Sequence, residues 1–365
     1  MLNRFATYLI LLTSLTFIQV LLTPNLFAEE AYWEYTFRPG DSIWKLAKTH
    51  TTSVKNWLEI QKINHIAQSS DRQIQPGTRI KIPVRMLKVQ PAPAVVTSTS
   101  AGVMLIHPDN TRTTLATYNK LVSGDTIITL DKQFVGLRFA DGSTLNILPN
   151  SSVSMDRLSQ HAQTGMLDTQ LRVQNGSIDT QVNKQQPGNR YEIITPSAVT
   201  AVRGTQFRVS SDKKAITRTE VTRGIVAVSA EDSQQKVGSG YGVIAEKGKP
   251  VSKPVKLLEP PALAFSPAQT LNWQALNNAR AYRYQIANDD DFKQIIQSAQ
   301  TSGLSVNLAS MEAGNYFVRL RGIDNNGLEG LNAQLAITIK AIAIEAEDEP
   351  IWPAFIPATI FLIGL

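Results

Sequence analysis

Two Pro-Gly pairs, Pro39-Gly40 and Pro76-Gly77, frame the segment that most restricts how this chain can fold. Tyr35 to Phe37 reads as a short strand. Arg38-Pro39-Gly40-Asp41 reads as a turn in which Pro fixes φ, Gly supplies conformational freedom and Asp41 is a candidate helix N-cap. A helix is expected from Ser42, with Ile43, Trp44, Leu46 and Ala47 on one apolar face. Ser53 can cap a second helix whose Val54, Trp57, Leu58 and Ile60 repeat the helical spacing. After the second Pro-Gly turn, Ile80 and Ile82 alternate with Arg79 and Lys81, the pattern of a half-buried strand. The order is βααβ.

With Tyr-Thr-Phe-Arg-Pro-Gly-Asp-Ser-Ile-Trp-Lys-Leu-Ala at its start and Ile-Gln-Pro-Gly-Thr-Arg-Ile-Lys-Ile-Pro at its end, this segment resembles a LysM domain, here bounded at residues 33–85. The resemblance implies binding of N-acetylglucosamine-containing glycans such as peptidoglycan. It places the groove between a first loop of Gly40, Asp41, Ser42 and Ile43 and a second of Ile74, Gln75, Pro76 and Gly77. Turn geometry alone would also select these Gly and Pro residues.

Arg4, the apolar run Tyr8 to Leu22, Pro24 and a cleavage position after Ala28 form the layout of a secretory signal over residues 1–28, with an uncleaved anchor as the alternative. No Cys follows the run, so a lipoprotein is excluded, and the chain's total lack of Cys excludes disulfides and thiolate metal sites. A periplasmic or cell-envelope location is expected. The 365 residues call for two or three cores, and 42% apolar with 18% charged residues excludes global disorder. The formal charge is +6, and losing Arg4 with the signal leaves +5. Its Lys and Arg are scattered, which argues against a nucleic-acid partner.

Residues 86–100, with Gln90-Pro91-Ala92-Pro93-Ala94 followed by Val-Val-Thr-Ser-Thr-Ser, read as a linker. Beyond it, over residues 101–255, short β-branched runs end in glycine turns: Val135 to Phe139 before Asp141-Gly142, Leu171 to Val173 before Asn175-Gly176, and Thr219 to Val221 before Arg223-Gly224. A stacked β coil (solenoid) or a rolled sandwich would satisfy this pattern. Thr195-Pro196 followed by Val202-Arg203-Gly204-Thr205-Gln206-Phe207, with Phe139-Ala140-Asp141-Gly142-Ser143 upstream, resembles the signature of the FecR domain. In that motif Gly204 allows a close backbone approach or a bend, Phe207 and Val209 share a face, and Arg203 requires a partner: neighbouring carbonyls, a carboxylate, or an external anion. FecR relatives that control iron uptake carry a cytoplasmic anti-sigma segment before a membrane helix. Here a signal-like segment and LysM stand in that place, so direct sigma-factor control is not expected.

Residues 260–341, opening at Pro260-Pro261 and carrying Trp273, Tyr282, Tyr284, Tyr316 and Phe317 in alternating runs, resemble a fibronectin type III or immunoglobulin-like sandwich. The tail, 342–365, is acidic and then apolar. Its fifteen residues from Ile351 to Leu365, interrupted by Pro353 and Pro357, fall short of a span and mark a candidate membrane contact.

No His-Glu-x-x-His helix, Gly-x-Ser-x-Gly elbow or phosphate loop is present, and the Asp289-Asp290-Asp291 and Asp324-Asn325-Asn326-Gly327 runs read as turns. No catalytic residue, metal site or cofactor is expected. The sequence describes a mainly β, multidomain, noncatalytic envelope protein that binds wall glycan and offers its later domains to envelope partners. An envelope signal sensor is the alternative, and a wall-processing enzyme ranks third.

Overall fold

The computed structural model describes residues 31–67, 74–161, 164–185 and 188–341. The signal-like segment and the acidic–apolar tail lie outside them. Strands dominate, as the alternating runs predict.

At the N-terminus, Tyr32–Thr36 pairs antiparallel with Arg79–Pro83. Helices Ile43–His50 and Trp57–Ile63, the second entered through a 3-10 turn capped by Ser53, cover one face of that ribbon. Ile43, Leu46, Ala47, Ile60, Ile80 and Ile82 are buried between them. Trp44 and Leu58 are instead 48% and 47% exposed, although helical spacing grouped them with the core residues. An eight-residue helix buries one narrow stripe, and Ile43, Leu46, Ala47 and His50 already occupy it.

No tether follows. Val89–Pro91 pairs with Ser159–His161, and Ala94–Thr99 pairs with Lys120–Leu121 and Val135–Arg138. Ala94 and Val96 are completely buried, so the expected linker at 86–100 is largely sheet. Alternating small and β-branched residues satisfy a strand as readily as a spacer, and the two prolines stand at a strand end and between strands, where no ladder donor is lost.

The middle region is two antiparallel-rich sheets around one core that includes Ile127, Leu137, Val153, Leu171, Ile193, Phe207, Val221 and Val228. This matches a rolled sandwich. One strand, Met166–Gln181, belongs to both sheets. Its first part pairs with Ser152–His161 and, in parallel, with Arg190–Ile194, whereas its last six residues pair with Thr144–Ile147 and Gln206–Ser211. The crossing occurs at Gly176, where the sequence reading expects a turn. Gly176 has φ +96°, and a Cβ there would stand 2.4 Å from Ser151 Cα. Only glycine passes this close to Ser151, and the strand bends from one sheet into the other instead of reversing.

Residues 263–339 form sheets of three and four strands that share a core of Leu271, Trp273, Tyr282, Ile286, Val318, Leu320 and Ile337. The Asp289 and Asp324 runs are turns, each aspartate accepting from backbone N–H groups two to five residues on.

The middle and C-terminal sandwiches meet over a buried charge cluster. Asp179 and Glu220 come from the middle sheets, as does Arg208. Arg283, Arg319, Arg321 and Glu329 come from the C-terminal sandwich. Arg319 donates to Asp179 at 2.5 Å and to Gln285 at 2.6 Å, and Arg283 donates to Glu329 at 2.6 Å. Arg321 also bonds Glu329, and Arg208 donates at 2.7 Å to the carbonyls of Glu329 and Gly330. Glu220 accepts from the Glu329 backbone N–H at 3.1 Å.

Burial pushes the Glu220 carboxyl up to about 7, opposed by Arg208 and reinforced by Glu329. Burial also acts to raise Glu329, but Arg283, Arg321 and Arg208 overcome it and hold that carboxyl well below the usual range. The signs are opposite. A carboxyl raised on folding binds protons better in the native state, so its contribution is full below its unfolded value of 4.5 and lost as pH rises toward about 7. Glu329 contributes above 4.5 and loses that contribution as pH falls.

Two outcomes follow. Phe207, fully buried beside Val209 and Val221, should cost about 3–5 kcal/mol when changed to Ala, read by urea unfolding. In Glu220→Gln, the decline in stability between about pH 5 and about pH 7.5 should shrink while the acid limb set by Glu329 remains, read by denaturation at each pH.

Candidate glycan-binding site

The two expected glycan loops are brought near each other by Phe37, which directly precedes the Arg38–Asp41 turn and bonds the end of the second loop. Its N–H donates to Thr78 O and its carbonyl accepts from Gly77 N–H, each at 2.8 Å. In the first loop, Asp41 closes the Arg38–Asp41 turn through its N–H to Arg38 O at 3.1 Å. Its carboxylate accepts from Arg38 N–H at 2.8 Å and from the Tyr35 hydroxyl at 2.7 Å. Asp41 is therefore not the helix cap. Ser42 is: its Oγ accepts from Lys45 N–H at 3.1 Å. Asp41 sits one residue too early and is already engaged by the turn behind it.

Of the eight loop residues, Gly40, Gln75, Pro76 and Gly77 are exposed, while Asp41, Ser42 and Ile74 are half-buried. Ile43 is fully buried in the module's core, so its side chain faces the helices and not a ligand. Gly40 and Gly77 have φ of +81° and +95°, and a Cβ on either would meet nothing within 4 Å. Glycine is required there for backbone conformation and not for space.

A cavity of about 510 Å³ opens beside the first loop, lined by Trp33, Tyr35, Arg38, Asp41, Lys45 and His50 among others. Asp41 alone of the eight residues borders it. Trp33 and Tyr35 stand two apart on one strand face and pack with the His50 ring at centroid distances of 5.0 and 5.6 Å. The i, i+2 spacing of these aromatics was visible in the sequence. Their meeting with His50, at the far end of the first helix, was not. Burial and then Lys88 lower the His50 pKa, which favours the neutral imidazole, and its Nδ1 is buried without a partner. Burial and the bond to Asp41 raise the Tyr35 phenol above 10.0.

Arg203 of the middle motif is exposed, and its Nε reaches only Gln185 O, at 3.4 Å. Among the described residues, no group of three or more His, Asp or Glu side chains could hold a metal, and no helix is long and apolar enough to cross a membrane.

Residues 35–83 match the family model of the LysM domain, and residues 125–227 match that of the FecR protein. Both are non-catalytic domain families, and their pairing is that of an envelope-associated protein. No curated protein matches the chain. A structure from Parabacteroides distasonis ATCC 8503, provisionally described as an anti-sigma factor, is 14% identical over 36% of this chain, with TM-score 0.30. The chain spans 58% of that structure's length. The extracellular domain of a provisionally described one-component system from B. thetaiotaomicron is 10% identical over 65% of this chain and 36% of its own, with TM-score 0.16.

Asp41→Ala removes two hydrogen bonds from the first turn. It should cost about 1 kcal/mol in chemical denaturation and move the Tyr35 phenol back toward 10.0 in an ultraviolet pH titration.

Proposed function

We propose that this is an exported, noncatalytic envelope protein that adsorbs to peptidoglycan through its LysM module. Sugar rings lie across the paired loops at Gly40–Ser42 and Ile74–Gly77, where backbone groups and the Gln75 side chain meet acetamido and hydroxyl groups. The observation that carries this reading is the LysM match over residues 35–83, supported by the bonds that hold Phe37, ahead of the first loop, to Gly77 and Thr78 at the end of the second. The FecR-like middle region and the immunoglobulin-like C-terminal sandwich present surfaces to other envelope proteins. A signal-sensing role is the second reading, favoured by the FecR match at 125–227.

The test is co-sedimentation of the full mature chain with insoluble peptidoglycan. Gln75 is exposed and only its backbone carbonyl is bonded within the turn. Gln75→Ala should leave the thermal midpoint unchanged and weaken binding about threefold or more, the effect of one lost hydrogen bond. Soluble N-acetylglucosamine oligomers should compete. Unchanged binding in Gln75→Ala together with no competition would place wall affinity elsewhere.

A further inference from the structure

The middle motif builds a second site, independent of the glycan reading. A cavity of about 440 Å³ opens where the Arg203–Thr205 turn meets Lys184 and Arg223. Those three cations line it and no carboxylate does. All three are exposed, and the Arg203 side chain bonds a neutral carbonyl, that of Gln185, and not a carboxylate. Two glycines hold the turns at backbone contact. A Cβ on Gly204 (φ +88°) would stand 2.9 Å from Lys184 Cα, and one on Gly224 (φ +87°) would stand 3.0 Å from Gly204 O. Any side chain at either position would force these turns apart and disperse the cations.

Thr205 lines the same cavity. It is 4% exposed, yet its hydroxyl has no partner. The backbone N–H groups of Arg203, Gly204 and Thr205 likewise have no protein acceptor among the described residues. Three cations and an unpartnered buried hydroxyl thus border one cavity whose lining holds no carboxylate. Like charges sharing a cavity repel, and burying an unsatisfied hydroxyl is costly; an anion accepting from both would offset both costs.

We propose that this cavity binds a small oxyanion, a phosphate or carboxylate group carried by a ligand, with Arg203, Arg223 and Lys184 supplying charge and the Gly204–Thr205 backbone supplying directed donors. The motif's arginine is then a ligand contact and not a tie between strands.

The test is calorimetric titration of the full chain with inorganic phosphate and, separately, with succinate, at low ionic strength. Saturable binding of at least one is expected. It should weaken as salt rises and weaken about tenfold in Arg223→Gln and in Lys184→Gln, as loss of a charge-assisted hydrogen bond requires. Which probe binds more tightly identifies the oxyanion. In parallel, the Gly204 and Thr205 amide resonances of the parent protein should shift with the titrant and not with an equal concentration of chloride, a readout that needs no variant. Absence of saturable binding by both anions, equal affinity in the variants, or unmoved Gly204 and Thr205 resonances would overturn the proposal.

Discussion

One strand ties the molecule together. Met166–Gln181 starts with Met166 buried against the core of the N-terminal module, passes Asp168 between Arg157 and Arg190, bends at Gly176, and ends near Asp179, which is bonded to Arg319 of the C-terminal sandwich. It pairs with four strands in two sheets. Every unit therefore touches the same sixteen residues. The bend is the constraint on which this depends, because only a residue without a Cβ can pass Ser151 at that distance. A glycan held at the outer loops would thus be attached to a body in which the first module has no free spacer behind it.

The seam between the two sandwiches has a different physics from the apolar cores around it. Four guanidinium groups face three carboxyls in a region where Arg321 is 0% and Arg319 3% exposed. Desolvating so many charges offsets much of their mutual attraction, so the cluster adds little net stability over a well-packed apolar seam. Removing one partner would leave its neighbours charged and dry. Arg319 also stacks 4.5 Å above the Phe292 ring, which replaces part of its lost hydration with a cation–π contact.

Local chemistry was readable and distant pairing was not. The Pro-Gly turns, the Ser53 cap and the shared face of Phe207 and Val209 follow from residues within a few positions of one another. The linker expected at residues 86–100 rests on small, β-branched and proline-rich composition, which is common to spacers and to strands, and only the partners Val135–Arg138 and Ser159–His161 distinguish them. Gly176 carried a turn signal, but the reason for it is Ser151, twenty-five residues earlier. The charge cluster is not legible in local sequence: Arg319 and Arg321 flank Leu320 on one strand, while their acceptors Asp179 and Glu329 lie on another strand and a loop. In the glycan module the loops were legible and the aromatic wall was half so, since Trp33 and Tyr35 share a face but His50 reaches them only through the fold. The Asp41 cap expectation fails because the true cap, Ser42, starts the helix one residue later, whereas the burial of Ile43 agrees with the apolar helix face that its spacing predicts.

The LysM module is built into the β body and not tethered to it. Residual dipolar couplings measured on the full chain test this directly. The account predicts that a single alignment tensor fits the amides of residues 32–63 and 79–83 together with those of residues 94–245. Two tensors of different magnitude or orientation for these groups would contradict it.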